Sequence, residues 1–93
     1  MKLETFKCDI LEGEQGSCKH CVIARAYARL PMPKGATRVS VNGYNVMWRN
    51  DDALSRVVAS QTLTREVQRY IKRFDKDKKL VNPTVFCVPP IPA

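Results

Sequence analysis

The segment "TRVSVNGYNVMW" (37–48) constrains the fold more than any other part of the chain. Two runs rich in β-branched and aromatic residues flank Asn42-Gly43, a pair favoured at the centre of a two-residue type I′ hairpin turn. That turn sets Val41 opposite Tyr44, Val39 opposite Val46 and Thr37 opposite Trp48 on one face. Ser40 then faces Asn45, and Arg38 faces Met47, on the other. An apolar face and a mixed face emerge together, so the chain is expected to hold an antiparallel hairpin with one buried side. In this turn Gly43 requires φ > 0, which a β-branched replacement resists.

A buried sheet face needs a helical cover. "TREVQRYIKRF" supplies one: Leu63, Val67, Tyr70, Ile71 and Phe74 recur at helical spacing, and Arg65, Arg69, Lys72 and Arg73 occupy the opposite face. A second helix is expected over 18–30, capped by Ser17 and stopped by "PMP". Its residues are apolar almost all round, with Arg25 and Arg29 forming a narrow polar stripe. "LETFKCDI" alternates Phe6, Cys8 and Ile10 and reads as a first strand; "TVFCV" reads as a last one. Segment 50–61 is either a short helix capped by Asn50, with Leu54, Val57 and Val58 inward, or a loop. The order β-α-β-β-α-β predicts an α+β fold: a four-stranded antiparallel sheet with two helices on one face, ferredoxin-like as first choice. At 93 residues this is one domain, spanning 1–88, followed by a Pro-rich tail at 89–93.

"GSCKHCVIARAYAR" (16–29) admits three readings. Cys18-x-x-Cys21 has the spacing of a zinc half-site, but no second pair exists to complete four ligands. A redox dithiol at a helix start would need the strand-motif-helix context of thioredoxins, which is not apparent. The third reading, in which the cysteines pack as small hydrophobes, fits the apolar helix around them best. No metal and no cofactor are expected, and His20 is read as a surface or hydrogen-bonded side chain rather than a ligand.

The net charge is +7, and it is uneven. Residues 17–38 carry +5 and residues 62–79 carry +4, against −2 for residues 1–16 and balance over 39–61. Two basic blocks point to a polyanionic partner: a phosphorylated nucleotide, a nucleic acid or an acidic protein surface. Arg and Lys clamp phosphates, and aromatic rings stack bases. The candidate ligand-binding residues are Lys19, His20, Arg25, Arg29, Arg38, Trp48, Arg49, Arg65, Arg69 and Arg73. No carboxylate pair, nucleophile-base pair or Gly-rich phosphate loop is visible, so an enzyme is not expected. No apolar run approaches the roughly 18–20 residues of a membrane span. The N-terminal "MKLETFKCDI" lacks an apolar core, so neither a signal peptide nor a membrane partner is expected.

"DILEGEQGSCKHCVIARAYAR" resembles a family of small conserved phage-encoded proteins of unassigned function. These have an Asp-Ile…Gly loop, a "GSC..C" turn and an Ala-rich helix ending in Arg. "VQRYIKRFDKDKKLVNPTVFCV" resembles the same group's helix, "FD" turn and final Pro-containing strand. Members usually carry Pro after the second Cys, where this chain has Val22. The resemblance implies a phage protein acting in the cytoplasm of a bacterial host, of the size of anti-defence factors. In that setting three functions compete. The first is sequestration of a phosphorylated nucleotide immune signal, with a homo-oligomer to enclose the ligand. The second is protein-protein inhibition of a host defence complex, as anti-CRISPR proteins do, through an acidic or nucleic-acid-binding host surface. The third is nucleic-acid binding.

Overall fold

The computed structural model describes residues 1–51 and 56–92. Among them the chain forms β1 (Lys2–Glu4), α1 (Lys7–Glu12), α2 (Val22–Ala28), β2 (Arg38–Val41), β3 (Asn45–Arg49), β4 (Val57–Thr62), α3 (Arg65–Lys76), a 3₁₀ turn (Lys78–Leu80) and β5 (Val85–Cys87). The class is α+β, as expected. The single four-stranded sheet is not found: β1 pairs with β5 in a two-stranded ribbon, and β2, β3 and β4 form a separate antiparallel sheet in that order.

Two expectations fail for identifiable reasons. The first strand ends at Glu4, and "KCDILE" is helical. The alternation of Phe6, Cys8 and Ile10 is misleading, because Phe6 and Cys8 are exposed while the adjacent Asp9 and Ile10 are buried. The side chain of Asp9 accepts the Phe6 amide at 2.8 Å and so caps the new helix. Over 57–61 the segment 50–61 is neither loop nor helix but strand. Its second half is β4, which pairs Asn45 with Thr62 and Trp48 with Ala59. Val57 and Val58 are consequently exposed rather than inward. Leu54 lies outside the described residues.

The hairpin exists with its register moved by two, and of the six residues expected on the buried face Thr37 and Tyr44 are exposed. Val39 faces Trp48, Val41 faces Val46, Ser40 faces Met47 and Arg38 faces Arg49. A shift of two preserves the pleat, so Val39, Val41, Val46 and Trp48 still share the buried face. The cause is Asn42. Its Oδ1 accepts the amides of Tyr44 and Asn45 at 2.9 and 2.7 Å, and its own amide bonds the Asn45 carbonyl. The loop therefore closes between Asn42 and Asn45, which leaves Tyr44 exposed and Gly43 outside the left-handed region.

Helix α2 starts later than expected, at Val22. Its cap is the Cys21 thiol, which accepts the Ala24 amide at 3.4 Å, and Ser17 instead caps the preceding turn by accepting the His20 amide. α2 packs on α1, α3, β1 and β2 at once, which explains its nearly all-round apolar sequence. Tyr27 meets the wholly buried Trp48 edge-on at 6.0 Å, and Tyr70 meets Phe86 edge-on at 5.1 Å. Rings in this geometry contribute about 0.5–1.5 kcal/mol beyond their buried area. α3 buries Val67, Tyr70, Ile71 and Phe74, as its periodicity predicts, and Thr64 caps it. The Pro-rich tail is docked: the Pro90 carbonyl accepts from Gln61, and Ile91 packs on the core.

Candidate functional site

The cysteines come first, because the motif invites chemistry. Cys21 is buried at the start of α2, and burial pushes its thiol up, away from the thiolate. Cys8, Cys18 and Cys87 are exposed, so the packing expectation holds for Cys21 alone. Among the described residues no group of three or more His, Cys, Asp or Glu is placed to hold a metal. Cys18 acts through its backbone: its carbonyl accepts the Val41 amide at 2.7 Å and ties the turn 17–20 to the edge of β2. The same turn is closed at its other end by the Glu14 amide on the His20 carbonyl at 2.8 Å.

That tie builds a cleft of about 350 Å³ between α2 and β2. Lys19 and His20 enter from the turn, Arg25 from α2, Arg38 from β2 and Arg49 from β3. None of the described lining residues is acidic. Ala24 and Ala28, one helical turn apart, form an apolar wall with Met32. Arg38 and Arg49 are directly opposed across the β2–β3 ladder, an arrangement in which like charges repel. Each is oriented by the protein: Arg38 reaches the Asn50 carbonyl and Asp51, and Arg49 Nε reaches Ser40 Oγ at 3.5 Å. Arg25 is half-buried and anchored from behind by Glu12 at 2.7 Å and Asp9 at 3.3 Å.

The remaining candidates lie elsewhere. Arg29 does not line the cleft: it holds Asp9 and the Glu4 carbonyl and lies over the Phe6 ring. Its role is structural. Trp48 is wholly buried against Tyr27 and offers no ring to a ligand. Arg65, Arg69 and Arg73 are exposed on α3 and do not line the cleft. Sequence reasoning missed the alanine wall, Met32, Thr37, Val39 and Ser40. The four-residue spacing of the alanines was a usable signal, but small residues facing a cleft and small residues facing a core look alike in sequence. It also missed a shallower basic depression, where Lys7, Lys78 and Lys79 surround Ile10 and Val81.

No helix among the described residues is long and apolar enough to cross a membrane. In comparisons with known proteins, no family model, no curated protein and no solved structure matches this chain.

Proposed function

We propose that this chain is a non-enzymatic binding protein that sequesters a small phosphorylated nucleotide in the cleft between α2 and β2. The observation that carries this reading is the convergence of Lys19, His20, Arg25, Arg38 and Arg49 from four separate segments onto one cavity. Arg25, Arg38 and Arg49 are held in place before a ligand arrives and so lose little entropy on binding it, and the low local dielectric of a cleft strengthens their attraction. The cellular setting implied by the family resemblance makes an immune signalling nucleotide the ligand of interest. Native mass spectrometry of protein purified from bacteria tests this reading, because it reports bound nucleotide and oligomeric state together. Purified protein that neither carries nor takes up any nucleotide, over a concentration range reaching millimolar, refutes it.

A second reading rests on α3. Arg65, Arg69, Lys72 and Arg73 form an exposed basic face suited to nucleic acid or to an acidic surface of a host defence protein. Salt-reversible retention of nucleic acid, abolished by charge reversal on α3 and untouched by charge reversal of Arg38 and Arg49, would favour it.

A further inference from the structure

Thr37, Arg38, Val39 and Ser40 are consecutive, and all four line the same cleft. Side chains of a strand alternate between its faces. A cavity touching both faces of four consecutive residues therefore runs along the strand's edge, where the backbone is presented. β2 is one of the two outer strands of its sheet. The bond from the Asn42 amide to the Asn45 carbonyl fixes the parity of the ladder, so Arg38 and Ser40 bond toward β3 while Val39 and Val41 point to the open edge. The Val41 N–H already donates to the Cys18 carbonyl, and the Thr37 amide turns back to the Arg49 carbonyl at 2.8 Å. Among the described residues, the donor-acceptor pair left at this edge is the N–H and C=O of Val39, which lines the cleft.

That count decides between two kinds of ligand. An added peptide strand draws on the N–H and C=O of alternate residues along an edge, and here the donors of Thr37 and Val41, on either side of Val39, are taken. A planar ring with a donor beside an acceptor needs only one such pair. We propose that the cleft reads a nucleobase: the base edge bonds the backbone N–H and C=O of Val39, its face rests on the wall formed by Ala24, Ala28 and Met32, and the phosphate lies toward Lys19, Arg38 and Arg49. The cavity of about 350 Å³ is near the lower end of small-molecule sites, which suits one nucleotide unit. This inference rests on the nucleotide reading above and adds the element that selects a nucleotide over a bare phosphate.

The test is a titration of the full chain with the four nucleoside 5′-monophosphates, ribose 5-phosphate, inorganic phosphate and an acidic peptide. Calorimetry is run alongside ¹H–¹⁵N spectra. At least one nucleotide should bind about tenfold more tightly than ribose 5-phosphate, the difference that one or two added hydrogen bonds and a stacked face supply. The Val39 amide should shift with that nucleotide and stay in place with ribose 5-phosphate. Ala28→Leu, at an exposed position on α2, should weaken the nucleotide and leave inorganic phosphate unaffected. Equal affinity for ribose 5-phosphate and every nucleotide, or a Val39 amide that never moves while the nucleotide binds, overturns base recognition and leaves a plain anion site. Binding of the acidic peptide alone, with Val39 newly protected from exchange, overturns it in favour of a peptide groove. Failure of every phosphate compound to bind the cleft removes the nucleotide reading and this inference together.

Discussion

The two oxygens of Asp9 accept hydrogen bonds of 2.6 Å each from the two terminal nitrogens of Arg29, and Asp9 has no solvent exposure. This fork joins α1 to the end of α2. Arg25 adds a third bond and the Phe6 amide a fourth. The site behind the cleft is therefore a buried carboxylate satisfied on every side, and the long apolar run of α2 is docked against it.

Removing the partner of a buried carboxylate costs more than the pair itself contributes. Asp9→Ala should destabilise the fold by about 3 kcal/mol, because it also uncaps α1 and frees two arginines. Arg29→Ala should cost a similar amount, and the double variant should cost less than the two single losses together, as denaturant titration of all three will show. The pH dependence has a definite sign. Burial pushes the Asp9 carboxyl up, but the bonds from Arg29, the Phe6 amide and Arg25 outweigh it and hold the group below its ordinary value. Stability from this group is thus fully present above the unfolded carboxylate range, about pH 4, and is lost as pH falls below it. A melting temperature that stays constant as pH falls from about 5 to 2 would contradict this account.

Gly13 follows α1 with ordinary dihedral angles, and its requirement is space. An added Cβ would lie 2.5 Å from the Asp9 carbonyl oxygen and 3.1 Å from both the Val22 amide and Phe74. Two of these neighbours are backbone and cannot rotate away. Gly13→Ala should lower stability by about 1–3 kcal/mol, measured by thermal and denaturant unfolding.

At the hairpin the sensitive residue is Asn42 rather than Gly43. Asn42→Ala removes the acceptor for two amides and should cost about 1–2 kcal/mol. Gly43 lies outside the left-handed region, with nothing within 4 Å of an added Cβ. Gly43→Ala should therefore be neutral or stabilise by about 0.4–1 kcal/mol through the unfolded chain. Comparison of the two melting curves tests the register directly, since a two-residue turn would reverse their order.

The basic face of α3 should be dispensable for folding. Arg69 and Arg73 are exposed, opposite Val67, Ile71 and Phe74. Replacing both with Glu should change stability by about 0–1 kcal/mol per residue. If nucleic acid is a partner, its retention should fall in the same variant, with the largest difference at low salt, where screening is weakest. A large loss of stability would mean that these side chains support the fold.

What was determined locally was legible in the sequence. α3 carries its own cap in Thr64 and its own apolar stripe. The buried face of the hairpin was readable because the side-chain period of a strand survives a shift of two. The hairpin register was not, because one side-chain oxygen, that of Asn42, outweighed the Asn-Gly preference. β1, α1 and β4 depended on distant partners. Asp9 could enter the interior and start a helix only because Arg29 and Arg25 met it there, and β4 existed only because β3 offered an edge. The candidate site divides in the same way. Composition marked the basic blocks, but a charge count cannot say which side chains converge. Only the tertiary structure sent Arg29 to Asp9, buried Trp48 against Tyr27, left α3's arginines on another surface, and brought Lys19, His20, Arg25, Arg38 and Arg49 to one cleft. The reason is that burial and pairing are settled between segments far apart in the chain, where local periodicity carries no information.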